Sequence, residues 1–267
     1  MTAPALVNWS GVTDRGRFRA NNEDTFMALT FDGDGLRFLG SNGSGGMDDG
    51  DFVFAVSDGM GGEKSGEFAS RTAVDKITRL LPGSWHRRAR GLSAGFVDVL
   101  TELFHAIHDS METMSRYYPE CQGMGATLTL AWLTPEGLHY GHTGDSRLYH
   151  LTASGILTQI SQDDTYPGWL RRSGKINERE ARQHPRKHIL SRALGAGHQY
   201  LVPQCGTVRC EPGDRFLLCS DGIVDGLWDR AVADLLAQPG VTAGDFLREA
   251  MDGGSRDNAT AVVFALA

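Results

Sequence analysis

The hydrophobic pattern of this chain consists mainly of short apolar runs separated by turn residues. Runs of five to eight residues rich in β-branched, aromatic and leucine side chains indicate strands. They predict strands at residues 52–56, 126–133, 138–142, 147–151, 215–219 and 259–266. Turn signals at 134–137 and 153–155 separate neighbouring runs closely enough for antiparallel hairpins. The pattern therefore predicts a meander of antiparallel strands.

Other segments carry the 3.6-residue period of amphipathic helices. Within 93–117, apolar residues recur at spacings of three and four from Phe96 to Ile107 and share one face. The same period predicts helices at 67–81, 229–236 and 242–251, and Asn177 followed by Glu180 predicts a capping box that opens a short helix. Strands interrupted by helix pairs indicate an α+β fold, in which antiparallel sheets pack face to face with helices outside.

One stretch lacks either period. Glycine, serine and aspartate dominate residues 32–51. That composition favours turns and irregular backbone over strands or helices. We therefore predict a mobile loop at 32–51.

The overall composition is that of a globular protein. The chain has 267 residues, 40% of them hydrophobic and 22% charged, a length that one domain can accommodate. A single domain over residues 1–267 is expected. No apolar run approaches the roughly 20 residues that span a bilayer, and residues 1–10 lack the pattern of a secretion signal. A cytoplasmic location without a membrane partner is expected.

The charge balance argues against a nucleic-acid partner. Acidic residues outnumber basic ones, 33 against 26, for a formal charge of −7, whereas binding to a phosphate backbone needs a concentrated positive field. Arginines collect locally at 86–90 and at Arg171 and Arg172. A solvated helix end or loop is the favoured interpretation of both clusters over a dedicated binding patch.

Two predicted strands lead into the same tripeptide, Ser-Asp-Gly. The strand at 52–56 is followed by Asp58 and the strand at 215–219 by Asp221, each with a glycine after it that lets backbone and ligand approach closely. A single Asp-Gly after a strand is usually only a turn. Two matched copies far apart in the chain instead indicate a shared site.

Further acidic residues stand at comparable strand boundaries. Glu23 and Asp24 precede a strand near Phe26, Asp145 lies between two strands, and Asp257 precedes the last strand. If these ends converge, the like charges raise one another's pKa, and bound cations would relieve the repulsion. Oxygen ligands without histidine or cysteine favour magnesium or manganese. Two such ions about 3.5–4 Å apart would acidify a shared water and orient it for in-line attack on phosphorus.

Six motifs in order resemble those of the metal-dependent protein phosphatase 2C family. They are DRGRFRANNED at 14–24, DGMGG at 58–62, GMGAT at 123–127, GDSR at 144–147, SDG at 220–222 and DNAT at 257–260. Each motif alone is weak, but the ordered set is specific, and the resemblance extends from about residue 11 to the C-terminus. It implies a central antiparallel β-sandwich flanked by helices on both sides.

The resemblance also implies a metal centre of Mn²⁺ or Mg²⁺ with two ions. Asp58 would bridge both ions. The Gly59 carbonyl, Asp221 and Asp257 would be the further ligands. A weaker third ion would be shared by Asp145 and Asp221.

Three more roles follow from the same resemblance. Glu23 and Asp24 would hold metal-bound waters or complete the coordination shell. Arg19 would bind the substrate phosphate, and its planar fork of donors suits phosphate oxygens on physical grounds as well. Together with Asp58 and Asp145, Arg19 is expected to be a catalytic residue.

Position 60 departs from the pattern of many eukaryotic members of the family. They have histidine after the Asp-Gly of the second motif, whereas this chain has Met60, as bacterial members commonly do. Methionine cannot donate a proton, and a serine or threonine alkoxide gains from protonation as it leaves. We hypothesise that a metal-bound water on the ion held by Asp145 supplies the proton, while Met60 only packs beside the metals.

The segment 163–192 is polar and arginine-rich and lies between two strand regions. In position it resembles the flap subdomain that stands beside the active site in the family. A plain helical connection is an equally favoured alternative. Loops near a rigid site often select substrates, so the first interpretation predicts a role in substrate choice.

The resemblance implies a serine/threonine protein phosphatase that cleaves phosphoserine and phosphothreonine by direct attack of a metal-bridging water or hydroxide. Its partners would be phosphorylated proteins and an opposing bacterial serine/threonine kinase, with the chain itself a monomer. The alternative is a catalytically inactive relative that uses the fold as a binding module. Inactive relatives are expected to lose metal ligands, and the acidic ligand positions are all retained here, which favours the enzyme.

Overall fold

The computed structural model describes residues 6–32, 35–61, 63–89, 95–197 and 200–267, apart from the side chains of 63–64 and 82–89. The side chains of the arginine cluster at 86–90 and Gly62 of the second motif therefore lie outside the description. The strands are β1 (Leu6–Asp14), β2 (Asp24–Phe31), β3 (Leu36–Phe38), β4 (Asn42–Gly46), β5 (Asp51–Met60), β6 (Gly125–Ala126), β7 (Leu128–Thr134), β8 (Gly137–Thr143), β9 (Arg147–Leu151), β10 (Leu157–Gln159), β11 (Leu194–Gly195), β12 (Gln204–Val208), β13 (Arg215–Cys219) and β14 (Ala259–Leu266). The α-helices are α1 (Glu63–Ala89), α2 (Phe96–Tyr117), α3 (Tyr166–Arg172), α4 (Glu178–Arg182), α5 (Asp221–Gly226), α6 (Asp229–Leu236) and α7 (Ala243–Asp252).

The strands form two antiparallel sheets. The first sheet has the order β10-β9-β13-β14-β1-β4. The second runs β11-β6-β5-β7-β8-β12, with β2 paired to β5 and β3 paired to β2. The predicted antiparallel β-sandwich is confirmed.

The main core lies between the two sheets, and β5 shows how the sequence builds it. Phe52 and Phe54 belong to the cluster between the sheets, whereas Val53 and Ala55 belong to the cluster beneath α1 and α2. The ring of Phe54 stacks on that of Phe264 from β14, with centroids 4.6 Å apart. Because β5 is buried on both faces, its sequence is a continuous apolar run rather than an alternating one.

Helices cover the outer faces of both sheets. The apolar stripes of α1 and α2 pack on β2, β5 and β7. On the other side, α5, α6 and α7 pack on β9, β13 and β14. This is the predicted layer order of helices, sheet, sheet and helices. No helix within the described ranges is long and apolar enough to cross a membrane.

The prediction of a loop at 32–51 is wrong in its secondary structure. The segment contains β3, β4 and a 3₁₀ turn at Met47–Asp49, and only residues 33 and 34 of it lie outside the description. Strand β4 has the sequence NGSGG, which carries no strand pattern, yet it pairs with β1. A Cβ at Gly43 would lie 2.4 Å from the indole of Trp9. Close packing of that ring, rather than local propensity, therefore decides this strand.

Most of the other predicted elements are confirmed with small shifts of their ends. The strands at 147–151, 215–219 and 259–266 and the helix at 229–236 have the predicted bounds. The capping box is present, since Asn177 Oδ1 accepts from the Glu180 N–H at 3.0 Å and Glu180 Oε2 accepts from the Asn177 N–H at 2.8 Å. The missed elements β1, β3, β4, β10, β11, β12, α3 and α5 are short, half-exposed or rich in polar residues.

The segment 163–192 leaves the sandwich between β10 and β11 and contains α3 and α4. Its two ends meet at a bridge between Thr165 and Leu190. The backbone N–H and Oγ of Ser191 both donate to the carbonyl of Asp164, at 2.7 and 2.8 Å. The two ends of the segment are therefore held together where it leaves the strands. We refer to residues 163–192 as the flap.

Candidate active site

A cleft of about 580 Å³ brings together residues from seven separate parts of the chain. Its lining includes all but one of the residues that the sequence motifs single out, namely Arg19, Glu23, Asp58, Gly59, Asp145, Asp221 and Asp257. The exception is Asp24, which is not part of the lining. The convergence expected from the strand ends is therefore observed.

Asp58 lies near the end of β5, opposite Asp24 of β2. Its backbone is fixed by Thr127, because the Asp58 N–H donates to Thr127 Oγ1 at 2.9 Å and the Thr127 N–H donates to the Asp58 carbonyl at 2.8 Å. Burial raises the pKa of Asp58 well above its usual value, and the charge of Asp24 raises it further. The strand thus holds a carboxylate in a place that disfavours its negative charge.

Gly59 lies where two backbone segments come together beside Asp58. Its N–H donates to the Glu23 carbonyl at 3.1 Å. A Cβ at this position would lie 1.9 Å from the carbonyl oxygen of Gly66 in α1 and 3.0 Å from that of Glu23. Only glycine allows α1 and the segment before β2 to pack this closely around the end of β5.

We expect Gly59→Ala to lower the free energy of unfolding by about 1–3 kcal/mol, because the new methyl group overpacks against fixed backbone atoms. Gly244→Ala is the matched control, since the nearest atom to its added Cβ would be 3.6 Å away. The control should keep or slightly raise the thermal midpoint because alanine favours helix. Thermal unfolding of both variants tests this, and equal midpoints would contradict the crowding argument.

The segment that carries Arg19 and Glu23 is held by Asn258. The Asn258 Oδ1 accepts from the Glu23 N–H at 2.9 Å, and its Nδ2 donates to the carbonyls of Arg15 and Asn21 at 2.9 and 2.8 Å. One side chain therefore satisfies three backbone groups. This places the segment against the start of β14.

Arg19 reaches Asp257 across the cleft. Its Nη2 donates to Asp257 Oδ2 at 2.5 Å, and the other carboxylate oxygen accepts from the Asn258 N–H at 2.8 Å. The Arg19 side chain remains 55% exposed. A guanidinium has five N–H donors, so donors remain for an anion in the cleft.

Asp24 lies behind the cleft rather than in it. Only 5% of the residue is exposed, and its Oδ2 accepts from the Ser220 hydroxyl at 2.7 Å. Burial raises the pKa of Asp24 to about 7. Its other oxygen, Oδ1, is buried without a hydrogen bond in the described part of the chain. Asp24 therefore links β2 of one sheet to the residue after β13 of the other.

Asp221 and Asp145 approach the cleft from the first sheet and from the β8–β9 turn. Asp221 opens α5, and its Oδ2 lies 3.8 Å from Nδ1 of His188. Asp145 follows Gly144, whose φ of +104° favours glycine. Burial raises the pKa of both carboxyl groups, and the charge of Asp221 adds to the effect on Asp145.

Sequence motifs missed several residues that line the cleft. His188, Ile189 and Leu190 come from the flap, whereas Thr127, which also lines the cleft, belongs to the GMGAT motif. The flap residues lie in no phosphatase motif, and only the position of the flap in the chain pointed to this region. Their presence brings the flap to the edge of the cleft.

The donor set of the cleft fits a hard divalent cation. The acidic side chains of the cleft offer carboxylate oxygens as metal ligands. Among the described residues, Asp221 Oδ1 and Asp24 Oδ1 are both buried without a hydrogen bond. Burial and neighbouring acids raise the pKa of Asp24, Asp58, Asp145 and Asp221, so a bound cation would offset the charge of their ionised forms. As the side chains stand, no three acidic, histidine or cysteine groups in the described ranges are placed to hold an ion. An ion bound by Asp221 and Asp257 would compete with their contacts to His188 and Arg19.

The metal-free protein should lose stability as the pH rises from about 4 to about 7. A carboxyl group with a raised folded-state pKa contributes stability that is present below its unfolded pKa and is lost as the pH rises through the folded pKa. For Asp24 that window runs from the usual value of 3.8 to about 7, and Asp58, Asp145 and Asp221 shift in the same direction. Thermal unfolding in chelator should show this fall, and Asp24→Asn should flatten it. A midpoint that rises over this range would contradict the prediction.

Comparison with known proteins supports the geometry. The sequence model described as Protein phosphatase 2C matches residues 42–242. The serine/threonine protein phosphatase PstP of Mycobacterium tuberculosis is 34% identical over 266 residues, which cover 97% of this chain but 45% of that protein. This chain therefore spans less than half the length of that relative. The serine/threonine phosphatase Stp of Listeria monocytogenes is 30% identical over 258 residues, covering 94% of this chain and 92% of the relative.

Solved structures agree with the sequence relatives. The M. tuberculosis serine/threonine phosphatase PstP/Ppp superimposes with a TM-score of 0.77 and 32% identity, covering 97% of this chain and 98% of that one. The catalytic domain of PstP in complex with two manganese ions gives a TM-score of 0.76 and 31% identity, covering 98% and 99% of the two chains. The cleft, the matched sequence model and these relatives lead to one conclusion: the chain belongs to the protein phosphatase 2C family.

Proposed function

We propose that this chain is a metal-dependent serine/threonine protein phosphatase that hydrolyses phosphoserine and phosphothreonine on proteins. The observation that carries the proposal is the cleft, in which the exposed guanidinium of Arg19 lies among carboxylates from separate segments. Such a site can hold a phosphate ester at one edge and cations at the other. The M. tuberculosis and L. monocytogenes relatives, both named serine/threonine phosphatases, support the same substrate class.

In this proposal the carboxylates of the cleft hold the cations. Asp58, the Gly59 carbonyl, Asp221 and Asp257 would bind two Mn²⁺ or Mg²⁺ ions, and Asp145 would share a weaker third with Asp221. The PstP catalytic domain described with two manganese ions supports manganese. When bound, such ions acidify water at neutral pH and offset charge on a phosphoryl group.

The remaining residues bind and orient. Arg19 would hold two phosphate oxygens with its planar fork of donors, and Asp257 fixes the guanidinium from one side. Glu23 lines the cleft beside Gly59 and would hold water in the coordination shell. Asp24 would act on the shell from behind Asp58, the residue it faces across the β2–β5 pair.

The experiment that tests the function is phosphate release from a phosphothreonine peptide by the purified chain. We expect turnover with Mn²⁺ and none after chelation, with recovery when Mn²⁺ is restored. The alternative of an inactive binding module would give peptide binding without phosphate release in either condition. Turnover that persists in excess chelator would contradict metal dependence.

Arg19→Ala should lower kcat/KM for a small aryl phosphate by about 10–100-fold, mainly through KM. The reason is the loss of a charge-assisted hydrogen bond to the phosphate, worth about 1.5–3 kcal/mol. Arg17→Ala is a matched control, because Arg17 is also exposed and also pairs with a carboxylate, that of Asp252 at 3.0 Å. Steady-state kinetics on the aryl phosphate measure both variants. An unchanged kcat/KM in Arg19→Ala would show that Arg19 does not bind the phosphate.

Several expectations from the sequence remain predictions. They are an opposing serine/threonine kinase, a cytoplasmic location, a monomeric state and the absence of a nucleic-acid or membrane partner. The hypothesis on the leaving-group proton also stands as a prediction. Met60 does line the cleft, so its replacement by leucine is a direct test that Met60 only packs there.

A further inference from the structure

The flap carries a groove that adjoins the cleft and shares two lining residues with it. This flap groove has a volume of about 340 Å³, and its exposed lining includes Tyr166, Trp169, Arg172, Arg186, Ile189 and Arg192. Ile189 and Leu190 line both the flap groove and the cleft. An extended chain advances about 3.3 Å per residue. A polypeptide that enters the cleft can therefore reach the flap groove within a few residues.

The flap groove exposes large apolar side chains in one place. Tyr166 is 42% exposed, Trp169 46% and Ile189 54%. The rings of Tyr166 and Trp169 stack with centroids 5.9 Å apart. Grouped exposed apolar side chains mark binding surfaces, and tryptophan, tyrosine and arginine are enriched among residues that dominate interface energetics. The surface has the composition of a recognition site.

The flap carries a net positive charge, whereas the whole chain carries a net negative charge. Residues 163–192 contain eight lysine and arginine residues against four acidic ones, a formal charge of +4 in a chain of −7. The four acidic residues are already engaged within the fold. Asp163 pairs with Arg147, Asp164 lies 3.5 Å from Arg192, Glu178 pairs with Arg182, and Glu180 caps α4 at Asn177.

Two arginines of the flap groove have no carboxylate partner among the described residues. Arg172 donates to the carbonyl of Asp163 at 2.8 Å. Arg186 lies over the ring of Tyr166, 4.9 Å from its centroid. Both side chains are exposed. Their positive charge is therefore available to a ligand that occupies the flap groove.

We propose that the flap groove binds the substrate polypeptide beside its phosphorylated residue and selects phosphoproteins with acidic side chains flanking that residue. Arg172 and Arg186 would pair with the acidic side chains, and Tyr166 and Trp169 would pack on the apolar part of the same segment. The inference rests on the proposed phosphatase function and adds its substrate class. Complementary charge gives specificity and faster association more than it gives bulk affinity.

Three substrates separate this proposal from the phosphatase function itself. Two are phosphothreonine peptides of equal length, one flanked by aspartate and glutamate and the other by lysine, and the third is a small aryl phosphate that cannot reach the flap groove. With Mn²⁺ present, we expect KM for the acidic peptide to be at least about fivefold lower than for the basic peptide. The difference should shrink as salt is added.

Charge reversal in the flap groove should remove that preference. Arg172→Glu and Arg186→Glu should each raise KM for the acidic peptide by at least about fivefold and lower it for the basic peptide. kcat/KM for the aryl phosphate should stay within about twofold of wild type, because neither residue lines the cleft. The control is Arg79→Glu on α1, which makes the same charge change at a side chain that is 72% exposed and lines neither the cleft nor the flap groove.

A second pair of variants tests the aromatic part of the surface. Trp169→Ala should raise KM for both peptides and leave the aryl phosphate unchanged, whereas Trp169→Phe should restore the wild-type value within about twofold. The proposal is overturned if wild type turns over both peptides with equal KM, or if Arg79→Glu matches the flap groove variants. Equal losses on the aryl phosphate and the peptides would also overturn it. Failure of wild type to hydrolyse any of the three substrates would instead contradict the phosphatase function.

Discussion

Asp58→Asn and Asp221→Asn should each lower kcat/KM for a phosphothreonine peptide by at least about 10²-fold at saturating Mn²⁺. Each change removes a negative charge from the set of oxygen donors that is proposed to hold the cations. Cation charge stabilisation in such sites is worth several kcal/mol, and about 1.4 kcal/mol corresponds to a tenfold change in rate. Asp234→Asn on α6, whose side chain is 72% exposed, is the matched control and should retain full activity.

The same variants have a second readout that does not depend on turnover. Burial and neighbouring acids raise the pKa of Asp58 and Asp221, so the ionised groups destabilise the metal-free fold. In chelator, the two asparagine variants should unfold at the same temperature as wild type or above it. Mn²⁺ should raise the midpoint of wild type and raise that of the variants much less. Full activity, or an equal shift with Mn²⁺, would remove that residue from the metal site.

Arg147→Ala should lower the free energy of unfolding by about 3–5 kcal/mol, the range expected when one partner of a buried ion pair is removed. Arg147 binds Asp163 through two nitrogens, with Nε to Oδ1 at 2.9 Å and Nη2 to Oδ2 at 2.6 Å. Both side chains are only 13% exposed. Burial alone would raise the pKa of Asp163, but the facing guanidinium holds it below its usual value. Denaturant unfolding measures the loss.

The control for this prediction is an ion pair on the surface. Arg17 and Asp252 are 3.0 Å apart with side chains 60% and 63% exposed, and Arg17→Ala should cost no more than about 1 kcal/mol. Because the pKa of Asp163 is depressed, the contribution of its pair with Arg147 is present above the usual carboxyl pKa and is lost as the pH falls. Equal losses of unfolding free energy in Arg147→Ala and Arg17→Ala would show that the buried pair stabilises the fold no more than the exposed pair does.

Arg147→Ala should also loosen the flap. Asp163 is the first residue of the flap, and Arg147 is the first residue of β9, so their pair joins the flap to the sandwich. Without it, Asp163 keeps its contact with Gln159 but loses its buried cation. We expect faster limited proteolysis within the flap of Arg147→Ala and no change in Arg17→Ala. An unchanged cleavage pattern would mean that other contacts hold the flap.

The sequence by itself determined the elements whose own residues decide their structure. Strands β5, β13 and β14 are continuous apolar runs, because both faces of each are buried. Helices α2, α6 and α7 show the 3.6-residue period of one buried face, and the Asn177 capping box is local. The Asp-Gly pairs at Asp58 and Asp221 could be recognised for the same reason, since aspartate and glycine stand next to each other in the chain.

Only the tertiary structure decided the features that depend on distant partners. Strand β4 exists because Trp9 of β1 packs across its glycines, which no local pattern shows. Asp24 lies behind the cleft although Glu23 lines it, because successive residues at the start of a strand point to opposite sides. The flap brings Ile189 and Leu190 to the cleft from a segment without a catalytic motif. Such contacts join residues far apart in sequence, and their energies are set by burial and distance that the folded chain alone defines.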